Sequence, residues 1–152
     1  MPSRREFLRA SVAGAATLII SREAVASATA PSVVTVYKDP SCGCCTKWVQ
    51  HLNKNGFVVT VRDTSNMDEI KRTMNVPAKL QSCHTAVVDR YVIEGHVPAD
   101  VIKKFIAAKP KALGLAVPEM PMGSPGMEGS RTEHYDILSF DRDGTSRVYA
   151  KR

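Results

Sequence analysis

The chain has 152 residues, with 21 Lys and Arg against 15 Asp and Glu and a formal net charge of +6. That length is enough for one ordinary domain with a respectable core and leaves no room for a second. The lysines are scattered along helical faces with no aromatic-studded basic stripe, which argues against a nucleic-acid partner.

The first thirty residues read as an address. Ser3-Arg4-Arg5-Glu6-Phe7-Leu8 has the twin-arginine pattern, Ala10 to Ile20 is an uncharged, largely apolar run, and Ala24 to Ala30 offers small-residue cleavage sites. Cleavage after Ala28, through Ala26-Ser27-Ala28, gives a signal peptide of residues 1–28 and a mature domain of residues 29–152. The apolar run is shorter than the about 20 residues that a membrane span needs, so no stable membrane insertion is expected after cleavage. The expected destination is the periplasm, an oxidising compartment reached by the twin-arginine route. With the leader removed, 17 basic residues stand against 13 acidic ones, because four Arg and two Glu leave with it.

Val33 to Tyr37 is β-branched and aromatic and predicts a first strand. Asp39-Pro40-Ser41 is turn chemistry, and Thr46 to Lys54 puts Trp48, Val49 and Leu52 at helical spacing. Cys42-Gly43-Cys44-Cys45 therefore falls in the loop and first turn of a helix. There, free N–H groups and the positive end of the helix dipole favour thiolate over thiol. Asn53 to Gly56 stops the helix, and Phe57 to Val61 predicts a second strand. A short helix from Met67 to Met74 follows, with Met67, Ile70 and Met74 spaced to face inward.

Thr85 to Val88 and Tyr91 to Ile93 predict a hairpin turning at Asp89-Arg90. Pro98 then stands at the start of a helix over Ala99 to Ala108, with Val101, Ile102, Phe105 and Ile106 on one face. This order predicts an α/β protein with a thioredoxin-like βαβα-ββα core. Pro118 to Gly129 is half Pro and Gly and carries Met120, Met122 and Met127, which predicts an irregular loop. His134 to Phe140 and Thr145 to Tyr149 predict a closing β-hairpin, so the loop belongs to the folded domain.

Cys42 and Cys45 have the C-x-x-C spacing of a redox pair, which makes them candidate catalytic thiols. Cys44 is superfluous to such a reaction, and a third clustered thiol is better explained by a soft metal. In a thioredoxin-like fold, Cys83-His84 passes beside the cysteine motif, so Cys83 is a candidate fourth ligand. A structural disulfide from Cys83 is the competing reading. His84 gains weight from its neighbour Cys83, and His96 approaches the same edge. His51 is expected to be exposed, and His134 begins a late strand. The loop methionines offer neutral thioethers that suit Cu(I), with Met122 and Met127 as candidate ligands and Met120 as further cover. Packing over the domain is the alternative for all three. Zinc competes for a four-cysteine site, but structural zinc usually takes two separated ligand pairs, and only one is present.

Four runs taken together carry a resemblance: Cys42-Gly43-Cys44-Cys45, Ser82 to Val88, Glu94-Gly95-His96-Val97-Pro98 and Met122 to Glu128. In these the chain resembles the CopG-type periplasmic copper-resistance proteins, a thioredoxin-like metal-binding family. The resemblance implies copper binding at Cys42, Cys44, Cys45 and Cys83 with support from His84 or His96, and the adjacent thiols Cys44-Cys45, suited to bridging neighbouring ions, favour Cu(I) in one ion or several. The resemblance also implies a role in copper resistance and homeostasis alongside other periplasmic copper-handling proteins. The same soft ligands serve a copper store, a chaperone or a copper oxidoreductase. A metal-free thiol-disulfide oxidoreductase using Cys42 and Cys45 is the second reading, and a structural zinc module the third.

Overall fold

A computed structural model describes residues 31–152. The expected signal peptide and cleavage site lie outside the described residues. In chain order the elements are β1 (Val33–Lys38), α1 (Gly43–Lys54), β2 (Val58–Asp63), α2 (Met67–Thr73), a 3-10 turn (Ala78–Leu80), β3 (His84–Val88), β4 (Tyr91–Glu94), α3 (Ala99–Ala108), β5 (Gly114–Ala116), β6 (Asp136–Phe140) and β7 (Ser146–Lys151).

The strands form one sheet in the order β2-β1-β3-β4-β5-β6-β7. β1 and β2 are parallel, as expected for a strand-helix-strand crossover, while β3 runs antiparallel to β1 and β4 antiparallel to β3. These four strands with α1, α2 and α3 are the anticipated thioredoxin-like core. The closing hairpin also forms, with a register shift at Ile137/Leu138. β5 is a three-residue strand that the sequence pattern does not mark. It pairs parallel to β4 and antiparallel to β6, and so joins the closing hairpin to the core sheet.

Alternation along β3 and β4 sends side chains to two different layers. His84, Ala86, Val88, Tyr91 and Ile93 face the main core with Trp48 and Leu52 of α1 and Ile102 and Phe105 of α3. Burying an aliphatic side chain such as Leu52 or Ile102 contributes about 1.5–3 kcal/mol, so this layer carries most of the apolar stabilisation. A smaller cluster of Val76, Leu80, Val92, Ala116 and Phe140 fills the other face.

α2 differs from expectation. Met67, Ile70 and Met74 are only partly buried, and the residue α2 buries is Lys71. The helix is seven residues long and inserts an ammonium into a polar slot in place of an apolar stripe. Lys71 Nζ lies 2.5 Å from Glu94 Oε1 and 3.2 Å from Thr85 Oγ1.

Strand register brings the chemistry to one end of the sheet. Lys38 is paired with His84, so the loop leaving β1 toward Cys42 lies beside the residue preceding β3, Cys83. Thr85 is paired with Glu94 and Glu94 with Ala116, so His96 and the start of the 118–129 loop reach the same edge. Among the described residues, no helix is long and apolar enough to cross a membrane.

Candidate metal centre

Cys42 is the N-cap of α1, and its Sγ accepts the Cys45 N–H at 3.3 Å. The first turn of α1 contains no acidic residue, so no carboxylate competes for its free N–H groups. Cys42 and Cys45 are joined in a disulfide, leaving Cys44 and Cys83 as free thiols. The pairing is the C-x-x-C pair read from the sequence, and the alternative of a disulfide through Cys83 is not realised.

The sulfurs of Cys42, Cys44, Cys45 and Cys83 all lie within 4.8 Å of one another. Cys44 Sγ is 3.5 Å from Cys42 Sγ. A second group shares Cys83: its sulfur and the ring nitrogens of His84 and His96 also fall within 4.8 Å of one another. The two groups form a continuous patch of soft and borderline donors in which Cys83 is the common member.

Both histidines are fully buried. His96 Nδ1 lies 2.7 Å from the Pro125 carbonyl, and Nε2 lies 3.0 Å from Cys83 Sγ. A carbonyl can only accept, so Nδ1 carries the proton, and in the neutral ring Nε2 presents its lone pair to the cysteine side. A second-sphere carbonyl fixing the tautomer in this way is the usual arrangement for a ligating histidine. His84 sits between Trp48 and His96, with ring centroids 4.3 and 5.1 Å away, and its Nδ1 is 3.3 Å from Cys83 Sγ. Its Nε2 is buried without a hydrogen-bond partner. Such an orphaned polar atom is costly and calls for an explanation.

Burial holds both imidazoles neutral. The pKa of His84 lies well below the usual 6.5, from desolvation first and then from the neighbouring His96 and Lys71 charges. That of His96 is lowered by desolvation, opposed by its bond to Pro125 and by Glu128. Burial, followed by the nearby Cys44, pushes the Cys83 thiol up to about 12. Neutral imidazole is the ligating form, whereas the Cys83 proton must be displaced by whatever binds there.

The loop from Pro118 to Gly129 closes one side of the patch. Gly126 has φ +93°, and a Cβ there would stand 2.7 Å from the Cys44 carbonyl and 3.2 Å from His96 Nδ1. Only glycine lets the loop backbone approach the first turn of α1 so closely. Of the three loop methionines, Met120 has its thioether against a cysteine, with Sδ 4.0 Å from Cys44 Sγ. The Met122 and Met127 backbones shape the loop, Met122 N–H bonding to Glu133 Oε2 at 3.2 Å and Met127 N–H to the Ser124 carbonyl at 2.8 Å. His51, expected to be exposed, is half-buried, and its Nε2 accepts the Ala99 N–H at the start of α3, 3.1 Å away. That bond joins α1 to α3 and depends on packing that helical periodicity does not reveal.

Soft thiols, neutral buried imidazoles and a thioether on one end of a thioredoxin-like sheet give a member of that fold class a donor set that could hold a soft metal ion. The comparisons narrow the class. A family model described as "Protein of unknown function, DUF411" matches residues 80–127, the segment carrying Cys83, both buried histidines and most of the methionine loop. Two solved structures, forms 1 and 2 of copper resistance protein CopG, superpose with a TM-score of 0.76 at 42% identity, covering 80% of this chain and 98% of theirs. No curated protein sequence matches the chain. At that identity and coverage, the chain belongs to the copper resistance protein CopG family.

Proposed function

We propose that the protein is a periplasmic Cu(I)-binding protein of copper resistance, exported by the twin-arginine signal of residues 1–28 and functioning as the domain of residues 29–152. The cysteine centre would sequester copper or change its oxidation state. Thiolates of Cys42, Cys44, Cys45 and Cys83 would hold one or more ions once the Cys42–Cys45 disulfide is reduced. His96 Nε2 and His84 would supply nitrogen, and Met120 or its loop neighbours Met122 and Met127 would supply thioether cover. The observation that carries this reading is the convergence of four sulfurs within 4.8 Å. The imidazole nitrogens of His84 and His96 beside Cys83 and the thioether beside Cys44 support a soft, nitrogen-tolerant ion over a closed four-thiolate zinc site. The name of the structural relatives supports copper as that ion.

Anaerobic titration of the reduced mature domain with Cu(I), followed by metal analysis, tests it. Retention of copper is expected, together with a marked loss of retention in Cys44→Ser and Cys45→Ser. Unchanged retention in those variants would contradict the reading.

The disulfide itself favours a second reading, in which Cys42 and Cys45 exchange with a protein dithiol. In that case Cys44→Ser would leave dithiol turnover intact and copper would be dispensable. The two readings therefore diverge at Cys44.

A further inference from the structure

Ser82 bonds in two directions from its place beside Cys83. Its backbone N–H donates to Glu94 Oε1 at 2.7 Å, and its hydroxyl donates to the Glu119 carbonyl. Glu94 is itself fixed on the buried face by Lys71 Nζ at 2.5 Å and by the Thr85 hydroxyl at 2.6 Å. Glu119 immediately precedes Met120, whose thioether faces Cys44. A chain of bonds therefore runs from the ion pair beneath the sheet, through Ser82, to the methionine above the cysteines.

Two backbone features show that this connection is built into the fold. Glu119 has φ +62°, a left-handed conformation that costs energy for a residue with a Cβ and persists where surrounding contacts impose it. The bond from Ser82 to its carbonyl is such a contact. Gly95 has φ +71°, and a Cβ there would meet Ser82 Cβ and Oγ at 2.7 Å and the Val117 carbonyl at 2.5 Å. Glycine leaves the space that the Ser82 hydroxyl uses to reach the loop.

We propose that Ser82 is a positioning residue that ties the methionine loop to the strand carrying Cys83, and so holds the Met120 thioether over Cys44 as a ligand for the bound soft metal. A thioether is a weak, neutral donor. Fixing it in place removes the ordering cost of recruiting it from an exposed loop. The inference rests on the Cu(I) reading above and extends it to a residue that offers no ligand atom of its own.

A double-mutant cycle tests it, with Ser82→Ala and Met120→Leu singly and combined. Ser82→Ala removes one oxygen and keeps the backbone bond to Glu94, and Met120→Leu keeps the volume. Competition with a chromogenic Cu(I) chelator gives affinity, and amide hydrogen exchange over residues 119–122 of the metal-free protein gives the tether. Faster exchange in Ser82→Ala is expected, with an affinity loss of about tenfold in the wild-type background and none in the Met120→Leu background. Unchanged exchange would overturn the tether whatever copper does. Equal affinity losses in both backgrounds, or none in either, would overturn its action through Met120. A wild-type protein that takes up no Cu(I) would overturn the parent reading and the ligand role of Met120 together, even with faster exchange in Ser82→Ala.

Discussion

Two buried polar clusters flank the start of β3, and they are finished differently. On the α2 face the Glu94 carboxylate takes bonds from Lys71, Thr85 and the Ser82 N–H, so its lone pairs are largely satisfied within the protein. On the α1 face, His84 Nε2 has no partner, His96 Nε2 turns a lone pair to Cys83, and two thiols stand free. A polar cluster that satisfies itself holds structure, and one left with unspent donors is suited to an external ligand. Residues 82–85 and 94–96 pass between the two, so the first cluster can orient the second without sharing its chemistry.

Breaking each cluster should have opposite consequences. Lys71→Ala strands a buried carboxylate and should cost about 3–5 kcal/mol in urea unfolding of the metal-free protein. Cys83→Ser removes a donor from the open cluster and should cost less than about 1 kcal/mol on the same measure, while weakening copper retention. Equal destabilisation by the two changes would erase the distinction.

A smaller effect follows from pH. The folded-state pKa values of His84, His96 and His51 all lie below 6.5, in each case from desolvation first. As pH falls through 6.5 these histidines take up protons in the unfolded chain before they do so in the folded chain. The stability these histidines contribute is therefore complete above 6.5 and is lost as pH falls from 6.5 toward their folded-state pKa values. Glu94, whose pKa is raised chiefly by burial, acts in the opposite sense, so the informative quantity is the difference between wild type and His84→Asn. Metal-free His84→Asn should show a flatter loss of stability below pH 6.5, and parallel curves would show that His84 is not held neutral.

Much of the architecture is legible in the sequence because it is local. Trp48 and Leu52 mark α1, Val101, Ile102 and Phe105 mark α3 with the observed bounds, and the alternation across Asp89-Arg90 marks the β3–β4 hairpin. The cysteine grouping is legible for the same reason, with Cys42 at the cap and the other two in the first turn. What the sequence hides depends on contacts between distant segments. β5 is three residues long and presses on β4 so closely that a Cβ at Gly114 would lie 1.9 Å from the Val92 carbonyl. Lys71 reads as a surface charge until Glu94, 23 residues away, is found opposite it. Met120 stands out from Met122 and Met127 only when the loop is folded back onto Cys44, and the orientation of His96 depends on Pro125 from that same loop.

The central claim is that the open cluster is a sulfur-dominated copper site, and X-ray absorption on the reduced, anaerobically copper-loaded domain reads it directly. Cu(I) with mainly sulfur neighbours and a nitrogen contribution is expected, with fewer sulfurs per copper in Cys44→Ser. A first shell of oxygen and nitrogen alone, or the same sulfur count in Cys44→Ser, would contradict it.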